Sequence, residues 1–204
     1  VNDFAFKIAT ANGTGSASAN GLIMQAIFRM GVPVTGKNVF PSNIQGLPTW
    51  YEIRVNKDGY TARTPLFDLM LALNAATLAK DVAEVRPGGW LLYDSSWPLD
   101  VSLKRADINY IGIPLAEMCN AAFKGVRERI LMKNIAYVGA LAALLNIDTD
   151  VIRAMLEAHQ SGEEASHDQE AEVRARLERF AAGESAPAPA VAAPAPADPV
   201  QRHR

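Results

Sequence analysis

Apolar positions along most of the chain follow strand-like and helix-like patterns in turn. Phe4 to Thr10 is a short apolar run of β-forming residues, and Ile23, Ile27 and Met30 then recur at the spacing of one helical face. The same two patterns recur beyond this first pair. They predict strands at 32–40, 50–55, 68–73, 90–93 and 108–113, and helices at 75–85, 115–123, 132–145 and from 149 onward.

Strand–helix alternation of this kind favours a three-layer α/β/α sandwich with a mostly parallel sheet. Local signals refine the boundaries. Lys57-Asp58-Gly59 predicts a turn that opens a hairpin after the strand at 50–55, and Pro87-Gly88-Gly89 predicts the end of the helix at 75–85. Either Asp148 or Thr149 is expected to cap the last helix of this α/β domain, which we place at residues 1–158.

The C-terminal part of the chain has a different character. Ser166 and Gln169 form a capping box, and Val173, Leu177 and Phe180 form a narrow apolar stripe, so one short helical extension is predicted within 159–183. From 184 to 204 alanine and proline alternate, which predicts an extended, disordered tail.

Composition excludes several functional classes. A formal net charge of −2, with aromatic residues that are not interleaved with lysine and arginine, argues against nucleic-acid binding. No apolar run reaches the length of a transmembrane helix, and the first residues lack the basic and apolar regions of a secretory signal. The single cysteine fits a reducing environment, so we expect a cytoplasmic protein.

Residue types also limit the chemistry of the α/β domain. The histidines are His159, His167 and His203, so the domain itself has none with which to build a Ser-His-Asp triad or a histidine-bound zinc site. A lone Cys119 cannot supply the four thiolates of an iron–sulfur cluster, and we interpret it as a small core residue. We therefore predict no catalytic residue, metal site or redox centre within this domain.

A glycine-rich loop, Asn12-Gly13-Thr14-Gly15-Ser16, separates the first strand from the first helix. It matches a dinucleotide-binding loop only partly, because Ser18 stands where the third glycine is expected and no acidic residue lies between Asp3 and Glu52. The loop and the helix start could still bind a phosphate-bearing molecule such as coenzyme A, or an acidic partner. The alternative is a tight strand–helix turn without a ligand.

A second loop, at 40–49, concentrates prolines and amides. Two prolines flank Ser42, Asn43 and Gln45, and would hold these side chains as fixed donors and acceptors. We expect this loop to recognise a ligand or a neighbouring subunit; the alternative is a solvated connection. Together the two loops supply the candidate cofactor-binding residues.

Both loops carry a resemblance to a known family. Residues 12–20 (NGTGSASAN) and 40–51 (FPSNIQGLPTWY) resemble the γ-type domain of 2-oxoacid:ferredoxin oxidoreductases. Residues 79–82, 87–89 and 133–140 strengthen this resemblance, which covers roughly residues 1–158 in the right order. The form is similar to the N-terminal part of the α subunit of 2-oxoglutarate synthases.

The resemblance implies a role within a larger enzyme. Such enzymes oxidatively decarboxylate a 2-oxo acid on thiamine diphosphate, pass electrons through iron–sulfur clusters to ferredoxin and release an acyl-CoA, which is succinyl-CoA for 2-oxoglutarate. Thiamine diphosphate, Mg²⁺ and the cluster would lie in partner subunits or domains, while the γ-type domain assists assembly and positions coenzyme A. The chain alone is therefore expected to be inactive.

The C-terminal part departs from the family pattern, because a fused α subunit would continue into a thiamine-binding domain. A fragment, a split subunit and a γ subunit with its own tail all remain possible from the sequence. Two functional alternatives also stay open, namely a structural assembly module without a ligand and a free-standing nucleotide-binding oxidoreductase.

Overall fold

The structure is a computed structural model that describes residues 3–41 and 44–161, and within these residues one six-stranded sheet packs against helices. The strands are β1 (Asp3–Ala11), β2 (Val34–Val39), β3 (Pro48–Asn56), β4 (Phe67–Ala72), β5 (Val85–Asp94) and β6 (Asn109–Ile113). The helices are α1 (Ser16–Arg29), α2 (Leu78–Ala83), α3 (Leu115–Ala122), α4 (Val126–Leu145) and α5 (Thr149–Ser161). Short 3₁₀ turns lie at Ala75–Thr77 and Val101–Leu103.

The strand order is β2-β3-β1-β4-β5-β6. Strands β1, β4, β5 and β6 are parallel to their neighbours in this half of the sheet, whereas β3 runs antiparallel to both β1 and β2. Helices lie on both faces, so the predicted three-layer sandwich with a mostly parallel sheet is confirmed.

Strand β1 shows how the two faces of the sheet are built. Successive side chains on a strand point to opposite faces. Phe4, Phe6 and Ile8 therefore enter the larger hydrophobic core, which α1, α4 and α5 cover. Ala5 enters the smaller core on the other face, into which α2 packs with Leu78 and Val82. Because both faces of β1 are covered, almost the whole strand is buried.

One buried charge lies among the apolar side chains of the smaller face. Lys7 is 4% exposed, and its Nζ lies 2.6 Å from a carboxylate oxygen of Glu84 and 3.3 Å from one of Glu52. The same ammonium group lies 5.5 Å from the ring centre of Trp50 and 5.1 Å from that of Phe67. Burial of this lysine is therefore balanced by two carboxylates and two aromatic rings.

A carboxyl group is buried beside this cluster. Asp81 in α2 is fully buried, and its two oxygens accept hydrogen bonds from Trp50 Nε1 at 2.8 Å and from Thr77 Oγ1 at 2.6 Å. Burial raises the pKa of Asp81, and the two hydrogen bonds oppose that shift. The side chain thus joins α2 to β3 through a polar contact inside the core.

Several predicted boundaries are corrected by the structure. The hairpin predicted after Lys57-Asp58-Gly59 is wrong, because β3 pairs with β1 and β2, and the chain passes on to β4 beside β1. The helix predicted at 75–85 ends at Ala83. Pro87-Gly88-Gly89 lies inside β5, where a register shift against β4 and a positive φ of 78° at Gly88 accommodate it.

The last two helices were also predicted in part. Helix α4 begins at Val126, six residues before the predicted start at 132. Asp148 caps α5, because its Oδ1 accepts a hydrogen bond of 2.9 Å from the backbone N–H of Asp150. The helical extension within 159–183, beyond the end of α5 at Ser161, and the tail at 184–204 lie outside the described residues.

No helix within 3–41 and 44–161 combines the length and apolarity needed to cross a membrane.

Candidate functional site

The candidate site lies at the edge of the sheet where the parallel strands β1 and β4 end. The connection after β1 leads to α1 on one face, and the connection after β4 leads to α2 on the other. Such a point, where adjacent strands lead to opposite faces, is the usual ligand crevice of open α/β sheets. Asn74 bridges the two strand ends, since its Nδ2 donates to the Thr10 carbonyl oxygen at 3.3 Å.

The glycine loop at residues 12–15 follows β1 directly. Gly13 and Gly15 have φ of 80° and 79°, in the left-handed region that glycine adopts without a Cβ penalty. The Thr14 hydroxyl donates to the Ala11 carbonyl oxygen at 2.7 Å, which tightens the turn. The two glycines therefore allow the chain to turn sharply from β1 into α1.

The start of α1 carries no side-chain cap. Gly15 is the N-cap residue, and the first turn of the helix contains no acidic side chain. The first backbone N–H groups of a helix have no partner within the helix, and the helix dipole adds positive character there. This end of α1 is therefore electrostatically suited to an anionic group.

The loop between β2 and β3 packs directly against the glycine loop. The Asn12 backbone N–H donates to the Leu47 carbonyl oxygen at 2.8 Å, and the Gly46 N–H donates to the Asn12 carbonyl oxygen at 2.8 Å. Asn12 Nδ2 also donates to the Ile44 carbonyl oxygen at 3.3 Å. The Gln45 side chain lies so close that a Cβ at Gly13 would be 2.6 Å from its Cγ. The two predicted loops thus form one unit.

Helix α4 holds the other side of the glycine loop and the start of α1. Asn134 Nδ2 donates to the Thr14 carbonyl oxygen at 2.8 Å. The Tyr137 hydroxyl, which is fully buried, donates to Asn20 Oδ1 at 2.9 Å. Burial raises the pKa of Tyr137, which keeps the phenol protonated as a donor. These contacts fix α1 and its preceding loop against the body of the protein.

A cavity of about 320 Å³ opens between the start of α1 and the ends of β2 and β3. Four of the predicted site residues, Asn12, Gly13, Gly15 and Ser16, line it. None of its lining residues carries a formal charge. The cavity therefore offers neutral polar groups and a helix N-terminus to a ligand, without a carboxylate that would repel an anion.

The other predicted site residues have different positions. Thr14 is hydrogen-bonded to Ala11 and Asn134 and does not line the cavity. Gln45 packs against Gly13 and does not line the cavity either. Ser42 and Asn43 lie outside the described residues. The structure thus brings the two loops together, and the binding roles of these residues stay predictions.

Five further cavity residues were not among the predicted site residues, namely Ala17, Asn20, Asn38, Phe40 and Thr49. Asn20 follows Ser16 by four residues and so shares its helical face, a signal that was present in the sequence. Asn38 and Thr49 come from β2 and β3, and only the pairing of these strands places them at the cavity.

The remaining chemistry-bearing groups do not converge on the cavity. Within the described ranges no group of three or more His, Cys, Asp or Glu side chains is arranged to hold a metal ion. Cys119 is 5% exposed in α3, which confirms its prediction as a small core residue, and burial raises the pKa of its thiol.

Comparison with known proteins agrees with the motif resemblance. Residues 5–173 match the family model of pyruvate ferredoxin/flavodoxin oxidoreductase. Subunit alpha of 2-oxoacid:ferredoxin oxidoreductase 2 from Aeropyrum pernix is 32% identical over 92 residues, which cover 45% of this chain and 14% of that subunit. The chain thus spans only a small part of that relative.

Three solved structures share the fold. A 2-oxoglutarate:ferredoxin oxidoreductase from Magnetococcus marinus, with 2-oxoglutarate, coenzyme A and succinyl-CoA bound, has a TM-score of 0.70 at 21% identity, over 96% of this chain and 34% of that one. Pyruvate oxidoreductase subunit PORC from Thermotoga maritima has a TM-score of 0.61 at 15% identity, over 90% of this chain and 96% of its own.

The gamma subunit of a keto/oxoacid ferredoxin oxidoreductase from Geobacter sulfurreducens gives a TM-score of 0.60 at 20% identity, over 89% of this chain and 96% of that subunit. The described fold is therefore that of a γ-type domain, as the motifs predicted. Since the family match extends over most of the sequence, this chain belongs to the pyruvate ferredoxin/flavodoxin oxidoreductase family.

Proposed function

We propose that this chain is the γ-type component of a cytoplasmic 2-oxoglutarate:ferredoxin oxidoreductase, and that it positions coenzyme A and supports assembly of the enzyme. The observation that carries this proposal is the uncharged cavity where the glycine loop, the uncapped start of α1 and the β2–β3 loop meet. The complete enzyme would convert 2-oxoglutarate and coenzyme A to succinyl-CoA and CO₂, with reduction of ferredoxin.

Coenzyme A fits the chemistry of the cavity. Its phosphate groups are anions that the N–H groups at the start of α1 can bind, and its amide-rich arm can exchange hydrogen bonds with amide side chains such as Asn12 and Asn20. The solved Magnetococcus marinus enzyme, which shares this fold, has coenzyme A bound. We assign the phosphates to the helix end because no acidic side chain lies there.

The choice of 2-oxoglutarate is supported by two observations. The motifs at 12–20 and 40–51 take the form of the fused α subunit, and the Magnetococcus marinus 2-oxoglutarate enzyme matches the fold over 96% of this chain. Carbon chemistry and electron transfer would be supplied by thiamine diphosphate, Mg²⁺ and an iron–sulfur cluster in partner subunits or domains. Residues 1–158 hold no histidine and one cysteine, so this domain has a poor donor set for such groups.

Calorimetric titration of coenzyme A into the complex, isolated through a tag on this chain, tests the proposal. Asn12→Ala is expected to weaken affinity about fivefold, since a lost hydrogen bond contributes about 1 kcal/mol. Asn109→Ala is the matched control, because Asn109 also bonds a backbone carbonyl, that of Gly88, but at the start of β6. Equal affinity of the wild type and Asn12→Ala would favour the structural alternative.

A turnover assay tests whether this chain needs its partner subunits or domains for catalysis. The isolated chain is expected not to reduce ferredoxin or viologen from 2-oxoglutarate, whereas the complex does. Reduction by the isolated chain would overturn the accessory role. Tight NAD(P) binding by the isolated chain would instead support the free-standing oxidoreductase.

A purely structural role is the second candidate, and one observation favours it. Both loops direct many of their polar groups at each other, through the hydrogen bonds of Asn12 with Ile44, Gly46 and Leu47. A unit of this kind could brace a neighbouring subunit without binding a ligand, and the titration above separates the two roles.

A further inference from the structure

Large apolar side chains are unevenly distributed over the exposed surface of the described residues. Eight of the twelve that are exposed lie in two short segments. We name these eight side chains the apolar collar: Phe40, Ile44 and Leu47 between β2 and β3, and Met118, Val126, Ile130, Leu131 and Ile135 on α3 and α4. Concentrated apolar surface of this kind marks interaction sites rather than ordinary solvated surface.

Both segments of the collar border the glycine loop. Leu131 Cδ2 lies 3.0 Å from the position that a Cβ on Gly15 would take. On the other side, the backbone carbonyl oxygens of Ile44 and Leu47 accept hydrogen bonds from Asn12. Phe40 itself lines the cavity. The candidate ligand site therefore lies between the two halves of the collar.

The described part of the chain leaves the start of α4 largely uncovered. No residue from 126 to 131 is buried, although Val126, Ile130 and Leu131 are large and apolar. Further along the same helix, Asn134 and Tyr137 are buried and bonded to the glycine loop and α1. The helix is thus anchored at its centre and extends an apolar, exposed start beside the site.

Charges around the helical half of the collar are predominantly basic. Between residues 115 and 135 the cations are Lys124, Arg127, Arg129 and Lys133, and the anions are Glu117 and Glu128. Lys124 and Arg127 form no ion pair with any residue that the structure describes. The complementary surface would be apolar at its centre with carboxylates at its rim.

We infer that the apolar collar is a docking surface for another polypeptide part of the same enzyme, apolar at its centre and acidic at its rim, which closes the coenzyme A site at the glycine loop. This inference rests on the proposed function, which supplies the partner. The Magnetococcus marinus chain extends far beyond the 34% that this chain covers, so a domain of this fold does pack within a larger polypeptide there.

A protein partner is favoured over an anionic membrane surface. The hydrogen bonds of Asn134 and Tyr137 hold α4 in the body of the protein, so the helix cannot roll its apolar side chains into a bilayer. The collar also surrounds a cavity with polar walls, which a partner with its own polar groups can cover. A bilayer would bury those groups unsatisfied.

The test uses the complex isolated through a tag on the full chain. Ile130→Glu and Met118→Glu introduce a charge into the collar at exposed positions, and Val101→Glu is the matched control, because Val101 is 77% exposed outside the collar. We expect the collar variants to weaken retention of the partner at least tenfold, with the wild-type circular dichroism spectrum, and the control to retain it. Arg127→Glu is expected to slow association and to reduce its salt dependence.

The possible outcomes distinguish failure of the inference about the apolar collar from failure of the proposed function. If the wild type retains its partner and the collar variants do so equally well, the collar inference is overturned while the proposed function stands. If the wild type co-purifies with no other chain, the proposed function fails and the collar inference fails with it. Loss of binding to phosphatidylglycerol vesicles by the collar variants, with the partner retained, would overturn the inference in favour of a membrane surface.

Discussion

Asn134 Nδ2 donates a hydrogen bond of 2.8 Å to the backbone carbonyl oxygen of Thr14, although 120 residues separate the two along the chain. This bond ties the centre of α4 to the glycine loop. Asn134 is itself 6% exposed, so water cannot readily replace it as the donor. The position of the loop is therefore determined by a tertiary contact as well as by its two glycines.

Replacement of Asn134 with alanine is expected to lower the free energy of unfolding by about 1–3 kcal/mol, because the Thr14 carbonyl oxygen loses its donor. Gly139→Ala on the same helix is the control, since a Cβ there meets no atom within 4 Å. This control is expected to raise stability by roughly 0.5–1 kcal/mol. Urea denaturation measures both, and equal effects would contradict the role of the Asn134 bond.

Gly13 is expected to tolerate alanine less well than Gly88, although both have positive φ, 80° and 78°. At Gly88 a Cβ meets nothing within 4 Å, so only the backbone penalty of about 1–2 kcal/mol applies. At Gly13 the Cβ would lie 2.6 Å from Gln45 Cγ and would displace that side chain. Gly13→Ala should therefore also weaken coenzyme A binding, as titration can show.

A double substitution separates the two penalties at Gly13. Gln45→Ala removes the side chain that the new Cβ would meet, so its addition to Gly13→Ala should restore part of the lost stability. Strictly additive destabilisation by the two changes would show that the contact between the loops is not the cause.

The order of strands and helices follows from the hydrophobic pattern, because burial on both sheet faces imposes continuous apolar runs such as 4–6 and 69–73. The pairing of the strands does not follow from this pattern. The turn at Lys57-Asp58-Gly59 forms, yet β3 pairs with β1, since the backbone of the buried strand β1 needs a hydrogen-bonded strand on each side. A local turn motif does not indicate which strand will pair with β3.

The sequence predicts the glycine loop of the site, but it does not predict the tertiary contacts that hold this loop and the neighbouring elements in place. Gly13 and Gly15 predict a turn that requires a positive φ, and both residues have a positive φ in the structure. Asn134 lies in a predicted helix and in the motif at 133–140, but nothing in the sequence indicates its hydrogen bond to Thr14, which lies 120 residues away. Lys7 and Glu84, 77 residues apart, meet only because β1 and α2 share the smaller face of the sheet. Such polar pairs depend on tertiary packing, which the periodicity of a single segment does not encode.

Replacement of Lys7 with methionine is expected to destabilise the protein by about 3–5 kcal/mol, because it leaves the buried carboxylate of Glu52 and that of Glu84 without their shared cation. Lys37→Met is the matched control. Lys37 stands opposite Glu52 on the neighbouring strand but is exposed, so its loss should cost less than about 0.5 kcal/mol. Similar midpoints for the two variants in urea would argue against a stabilising role of the buried ion pairs.

Asp81 is expected to make stability fall as pH rises, because burial raises its pKa above the value of 3.8 that it has when unfolded. Between 3.8 and the higher folded pKa, the folded protein binds a proton that the unfolded chain has lost, so each rise in pH through this window favours unfolding. Below 3.8 both states are protonated and this cost disappears.

Asp81→Asn should remove that pH dependence without loss of the fold. An asparagine oxygen can accept from Trp50 Nε1, and its Nδ2 can donate to Thr77 Oγ1, which in turn donates to the Asn74 carbonyl oxygen. Urea midpoints from pH 3 to pH 7 should therefore show the wild type losing stability relative to the variant as pH rises.

Asp3→Asn provides a control of opposite sign. Its hydrogen bond from Arg54 lowers the pKa of Asp3, so the stability that Asp3 contributes is present above 3.8 and is lost as pH falls through its folded pKa. The wild type should therefore lose stability relative to Asp3→Asn toward low pH, whereas it gains relative to Asp81→Asn. A constant difference between the wild type and Asp81→Asn across the range would contradict this prediction, because it would mean that Asp81 has the same pKa in the folded and unfolded states. In that case the hydrogen bonds from Trp50 and Thr77 would fully offset the effect of burial on the pKa of Asp81, and the contribution of this polar contact to stability would not depend on pH.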